Sequence, residues 1–331
     1  MNDWIVTDRD RALFDRELDT FVPPTIFDAH AHWYRADHFP TGAEPPLVKS
    51  GPRVAGADAF DQHISELIPG RTTEGLFFPF PHAQVDVEAA NSFLREELLR
   101  RPGSRGQMLI TPALDPEFIR DTVRRSGFAG LKCYHVYSPR RPTFDSLIEE
   151  FLPEQQVRIA HEERLSITLH IVRPRALADD ANQAAIRRYC ESCPDMRLIL
   201  AHAARGFNPH HTILGIEALR GLDNVWFDTS AVTDCGAIEA IINTFGHKRV
   251  LYGSDFPVSH LRGRCVGLGD SFLWISSDNT ELEAPYGRLE LALVGHESLR
   301  TLKAAALSTR LSDAQVEDIF HRNACDLFEC G

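Results

Sequence analysis

The chain has 331 residues, 43% of them hydrophobic, enough to bury one large core or two ordinary ones. Its 35 basic and 47 acidic residues leave a net charge of −12, which argues against nucleic acid or an anionic membrane as the main partner and leaves a small molecule. No run is apolar and long enough to span a bilayer, and the opening MNDWIVTDRDRALFDRELDT resembles neither a secretory signal nor a transit peptide, so a cytoplasmic location is expected.

Residues 1–24 read as a charged N-terminal extension, helical from Asp8 to Phe21 and stopped by Pro23-Pro24. From residue 25 onward, short apolar runs alternate with longer amphipathic ones. Eight runs read as strands: 26–31, 75–79, 107–112, 129–135, 166–171, 197–202, 225–229 and 249–254. Helices are predicted over 86–100, from Asp115-Pro116 to Gly127, and over 144–164, 176–190, 211–219 and 235–245. Near the C-terminus Ser312 and Gln315 form a capping box ahead of Val316, Ile319, Phe320 and Leu327. Strands alternating with helices imply parallel pairing through crossovers. The count of eight matches an α/β fold of the (β/α)8 TIM-barrel type, a single domain over 25–331, with a doubly wound open sheet as the rival. The connections 33–73 and 256–285, after strands one and eight, are too long for simple loops. Each is expected to wall or lid a pocket, the plainer alternative being an insertion that only packs.

The seven cysteines (Cys133, Cys190, Cys193, Cys235, Cys265, Cys325, Cys330) are odd in number and scattered, which predicts reduced thiols. Cys190 and Cys193 form a lone C-x-x-C with no second pair to complete a zinc site.

The chemistry concentrates at predicted strand ends. His30 and His32 close the first strand, and because strand side chains repeat every second residue, both imidazoles can grip one ion. His170 in SITLHIV, His202 in LILAHAAR and Asp255 in VLYGSDFP end strands five, six and eight, and Lys132 lies within strand four. Each alone reads as an ordinary polar strand terminus. On a fold that gathers its strand ends into one mouth, they become a set. Neutral imidazoles with a carboxylate suit a borderline divalent ion such as zinc, which turns water into a nucleophile near neutral pH, and a further base must move the proton.

The ordered set, with FDAHAH, GLKCYH, LILAHA, YGSDFP and IFHRNACDLF, resembles the amidohydrolase superfamily, in particular the branch that includes aminocarboxymuconate semialdehyde decarboxylase. The resemblance covers about Ile26 to Phe328. It implies a metal-dependent barrel in which His30, His32, His170 and Asp255 hold one Zn2+, His202 acts on substrate or activates water, and Asp255 also shuttles a proton. In binuclear members a carboxylated strand-four lysine bridges two metals, which would make Lys132 a ligand. One ion is the preferred expectation, and Mn2+ fits the same ligands.

Loop residues Arg205, Arg173, Trp33, Tyr34 and His135 are the expected substrate contacts, since guanidinium groups fork onto carboxylates and the aromatics suit an unsaturated chain or ring. Solvated surface ion pairs are the bland alternative for the arginines. The expected reaction is hydrolysis of an amide, lactone or ester in a small acidic substrate. Nonoxidative decarboxylation of an aromatic or unsaturated acid is the runner-up, and a barrel that only binds a ligand comes third. Besides the substrate, the one further partner considered is another copy of the same chain.

Overall fold

The computed structural model describes residues 4–276 and 290–330. Nine of its strands form one sheet: β1 (Thr25–Arg35), β2 (Val54–Ala55), β3 (Thr72–Pro79), β4 (Arg105–Leu109), β5 (Gly130–Cys133), β6 (Ser166–Leu169), β7 (Arg197–Leu200), β8 (Val225–Asp228) and β9 (Val250–Leu251). Their spatial order is β2-β1-β3-β4-β5-β6-β7-β8-β9. All neighbours are parallel except β2, a two-residue strand antiparallel to the far end of β1. The row curls until its ends meet: Ala29 N donates to Tyr252 O at 2.8 Å, Asp255 N to His30 O at 2.8 Å and His32 N to Phe256 O at 2.6 Å. This mixed α/β architecture is consistent with a TIM-like barrel.

The strands form where the sequence offers apolar runs buried on both faces. In β5 and β6 every residue is buried, as parallel strands between a barrel interior and a helical layer must be. The intervening helices start where Asp86, Asp115, Asp179 and Asp234 accept hydrogen bonds from first-turn amides. Gly127, at φ +69°, ends the helix Pro116–Ser126 in the left-handed conformation that glycine takes without penalty.

Several expected elements differ. The single helix expected over 144–164 is instead two, Ile148–Phe151 and Glu154–Glu162, because Pro153 cannot continue the first. The N-terminal helix stops at Glu17, before the turn that leads into Pro23. The long connection after β1 contains β2 and the helices Pro46–Ser50 and Ala57–Leu67. The connection after β9 contains the hairpin β10 (Gly263–Leu268) and β11 (Ser271–Ser276), and the remainder of that expected lid lies outside the described residues.

Two apolar regions matter for the site. The larger core fills the layer between strands and helices and takes in Trp4, Leu13 and Phe14 of the N-terminal segment. A smaller cluster lies inside the sheet's curl, where Phe27, Ala29, Leu76, Phe78, Ile199 and Leu251 meet Ala324, Leu327 and Phe328 of the helix Asn323–Phe328. That helix plugs the N-terminal end of the strands. Among the described residues no helix is long and apolar enough to cross a membrane.

Candidate metal centre

The centre begins with an irregularity in β1. Phe27 and Ala29 face the interior cluster, yet strict alternation would then turn His30 outward. The register against β3 shifts between Asp28 and Ala31, and beyond the shift the even-numbered residues take the inner face. His30 and His32 accordingly both stand edge-on to the inward Phe78 ring, each at 4.8 Å. Their Nε2 atoms each lie 3.5 Å from Asp255 Oδ1, so two imidazoles from β1 and one carboxylate from the segment after β9 converge.

Each ring is aimed by a bond on its other nitrogen. His30 Nδ1 donates to Asp228 Oδ2 at 2.9 Å and His32 Nδ1 to the Pro79 carbonyl at 3.4 Å, which leaves both Nε2 lone pairs for the centre. Asp228, at the end of β8, also accepts from the His202 amide at 2.9 Å and from the Ser230 amide at 3.1 Å. Burial opposes its charge, but His30 and His202 outweigh burial and hold its carboxyl down at about 2. Burial pushes the His30 imidazole down to about 3, against the pull of Asp228, and also lowers His32 and His170. Asp255 stays well below the usual carboxylate range, because its histidine neighbours, His202 first, overcome burial. Neutral imidazoles beside an ionised carboxylate are the protonation states a divalent cation requires. Gly253 is needed for close packing, since a side chain there would come within 2.9 Å of His30 Cβ.

After β7 the chain makes a left-handed turn. His202, Ala203, Ala204 and Arg205 all have φ between +51° and +58°, a conformation that costs non-glycine residues roughly 1–2 kcal/mol each. The turn is held by the His202 amide on Asp228, by Gly206 N on His202 O at 2.7 Å and by Thr212 Oγ1 on Ala203 O at 2.9 Å. Such strain persists where surrounding structure over-determines it, most often at functional sites. Here it sets His202 with Nδ1 2.9 Å from the Ser230 carbonyl and 3.9 Å from Asp255 Oδ2. It also sends Arg205 inward, 7% exposed, where Nη1 donates to the Arg173 carbonyl at 2.9 Å. Among the described residues Arg205 has no carboxylate partner. Aromatic rings collar it, Phe272 at 5.1 Å and Phe144 at 5.6 Å, and Phe207 links Phe272 to Trp274 of the hairpin.

The remaining expected residues divide. His170 stands next to His202, ring centroids 5.0 Å apart, outside the compact group of His30, His32 and Asp255, with its buried Nδ1 unpaired. Lys132 is wholly buried, and its Nζ has no hydrogen-bond partner and rests 4.3 Å from the Phe78 centroid. Burial lowers that amine to about 8, against the pull of Asp228. His135 packs 5.7 Å from His170 and is bonded to Thr143 Oγ1.

Trp33 does not reach the site, because strand alternation that turns His32 inward turns Trp33 outward, onto Phe77 at 3.9 Å and Phe60. Tyr34 is buried beside Phe80 at the far end of β1. Arg173 has its guanidinium engaged by Asp179 at 2.8 Å and offers the centre only its backbone carbonyl. Sequence reasoning passed over Asp228, although it ends a strand just as His202 does. It also passed over Tyr134, whose ring lies 4.8 Å from His170.

The residues fit a metal ion. His30 Nε2 is buried without a hydrogen-bond partner, and burying such an atom is costly unless something else satisfies it. The fold and this His-His-Asp group define a metal-dependent enzyme of α/β type. The chain belongs to the amidohydrolase family, whose model matches residues 27–329. No curated protein matches the sequence. Among solved structures it is similar to a probable 2-pyrone-4,6-dicarboxylic acid hydrolase from Acinetobacter baumannii with citric acid bound, at 14% identity and TM-score 0.57, covering 92% of this chain and 99% of that one. It is likewise similar to 5-carboxyvanillate decarboxylase from Sphingomonas paucimobilis, at 13% identity and TM-score 0.56, covering 93% and 100%. A third is a dihydroxybenzoic acid decarboxylase from Polaromonas sp. JS666 with bound manganese, at 15% identity and TM-score 0.53, covering 92% and 96%. At these identities the likeness is one of fold.

Proposed function

We propose that this chain is a metal-dependent hydrolase on a closed (β/α)8 barrel, cleaving a C–N or C–O bond of a small carboxylate-bearing substrate. The observation that carries the reading is the convergence of His30 Nε2 and His32 Nε2 on Asp255 Oδ1, with both outer nitrogens already committed. One Zn2+ would be held by these three residues, with His170 as a fourth donor. When bound, the ion supplies a Lewis acid for the scissile carbonyl and lowers the pKa of water. His202, fixed through Nδ1 on the Ser230 carbonyl, keeps Nε2 available to take and return a proton, and Asp255, with Oδ2 3.9 Å from His202 Nδ1, is the second proton-carrying group. Arg205 binds the substrate carboxylate, because a buried guanidinium without an anionic partner gains most from one. Lys132, with Nζ over the Phe78 ring, is read as standing outside the ligand set of one ion.

Nonoxidative decarboxylation is the second reading, favoured by the rings around Arg205, which suit an aromatic or unsaturated acid. Two of the compared structures are decarboxylases of such acids by name. One experiment separates the two. Metal-loaded protein is incubated in 18O-labelled water with a panel of lactones, esters, amides and aromatic acids. Hydrolysis predicts one label per turnover and no CO2, while CO2 release without label overturns it in favour of decarboxylation.

A further inference from the structure

Opposite the metal centre, the helix Asn323–Phe328 ends in a way that brings two cysteines together. Glu329 takes the left-handed conformation, φ +53°, and the amide of Cys330 reaches back to the carbonyl of Cys325 at 3.0 Å. This is the six-to-one closure of a Schellman motif, in which the side chains of the two bonded residues meet on one face. Standard bond lengths on either side of that hydrogen bond leave the two α-carbons at most about 7 Å apart, close to the range a disulfide spans. Both side chains pack against the interior cluster through which the last helix plugs the strands. The end of the chain is held there by Arg197 on Glu329 Oε1 at 3.1 Å and Arg105 on the Glu329 carbonyl at 3.4 Å. His321, one turn earlier, places Nε2 3.4 Å from Cys325 Sγ.

We propose that Cys325 and Cys330 form a built thiol-oxidation site that closes to an intrachain disulfide with a small disulfide such as oxidised glutathione, His321 taking the proton of Cys325. Cys330 attacks one sulfur of the oxidant, expelling one glutathione thiol and leaving a mixed disulfide. Cys325 then gives its proton to His321 and attacks the Cys330 sulfur, expelling the second glutathione. The two protein thiols are oxidised to one disulfide and the oxidant is reduced to two thiols. Burial and the neighbouring Cys330 push the Cys325 thiol up to about 12, so its proton needs an acceptor, and His321 Nε2 lies within reach at 3.4 Å. Nothing comparable holds at Cys190 and Cys193, both buried at the end of the helix Asp180–Ser192.

Trypsin cutting after Arg322 releases both cysteines in one peptide, residues 323–331, which makes the test direct. The full chain is exposed to oxidised glutathione, quenched with an alkylating agent and digested. The expected result is a 323–331 peptide lighter by two hydrogens and carrying no alkyl group, while the peptides with Cys190 and Cys193 remain alkylated. C325S should instead trap glutathione on Cys330, and H321Q should slow closure about tenfold at neutral pH. Closure in the native chain should outpace that in urea by at least about tenfold, since the fold pre-pays the encounter. Two alkylated thiols in 323–331, persistent glutathione adducts in the unmutated chain, or equal rates in native and unfolded protein would each overturn the proposal. Unchanged closure in H321Q would remove His321 from it.

Discussion

The two ends of the same eight parallel strands are built on opposite terms. At the C-terminal end the buried His30 Nε2, His170 Nδ1 and Lys132 Nζ lack a hydrogen bond, and four residues after β7 hold a left-handed turn. At the N-terminal end, Phe27 stacks on Phe328 at 5.7 Å and aliphatic side chains fill the space between. Phe78 belongs to both, as part of the apolar plug and as the ring beneath His30, His32 and Lys132. The difference teaches where free energy is stored and where it is spent. The floor contributes stability by burial, and the mouth keeps unpaired polar atoms beside a strained turn that its neighbours hold in place.

Substitutions at the two ends should therefore separate metal from stability. The largest expected effect is His32→Ala, which removes one of three converging donors. Elemental analysis should show metal falling below stoichiometry and turnover falling to background, with an unchanged circular dichroism spectrum. Retention of one full equivalent of metal would break the assignment. Phe328→Ala should do the reverse, costing about 3–5 kcal/mol in denaturant unfolding while the folded protein keeps its metal. Asp228→Asn is a finer probe. It keeps an acceptor for the His202 amide but weakens the bond that aims His30, so chelator competition should show metal affinity down by about 10–100-fold. A loss of stability with unchanged affinity would move Asp228 from positioning the ligands to mere packing.

What the sequence makes legible follows from which signals are local. Parallel strands leave apolar runs, and strand ends leave isolated polar residues, so the eight runs and His30, His32, His202 and Asp255 can be read directly. Asp228 carries the same signal, but Thr229 and Ser230 follow it and make the trio look like a turn. The turn at 202–205 is invisible for a different reason. His-Ala-Ala-Arg contains no glycine or asparagine, and its alanines favour a right-handed helix, so only tertiary bonds to Asp228 and Thr212 select the other hand. The outward face of Trp33 is legible too, since two inward histidines at 30 and 32 already require residue 33 to face away. The shift between Asp28 and Ala31 had no such cue, because alternation alone puts His30 on the face opposite Ala29.

Acid offers the smallest perturbation and the sharpest contrast between the ends. Burial lowers His30 from its ordinary value near 6.5 to about 3 in the folded state. Between those values the unfolded chain binds a proton that the folded chain refuses, so the contribution of His30 to stability is complete above about pH 6.5 and is lost progressively as pH falls toward 3. Asp228, held down at about 2 from an ordinary value of 3.8, contributes stability that is complete only above about pH 4 and is lost progressively as pH falls toward 2. His260, buried outside the group of His30, His32 and Asp255 with Nε2 on the His63 carbonyl, is also lowered to about 3 and titrates in the same sense. The metal-free protein should therefore lose unfolding temperature steadily from pH 6.5 downward. H260Q should remove one part of that slope and H30Q another, whereas F328L at the floor should shift the whole curve without changing its shape. If F328L flattened the acid limb as much as H30Q did, the division of the curled sheet into a titrating mouth and an apolar floor would fail.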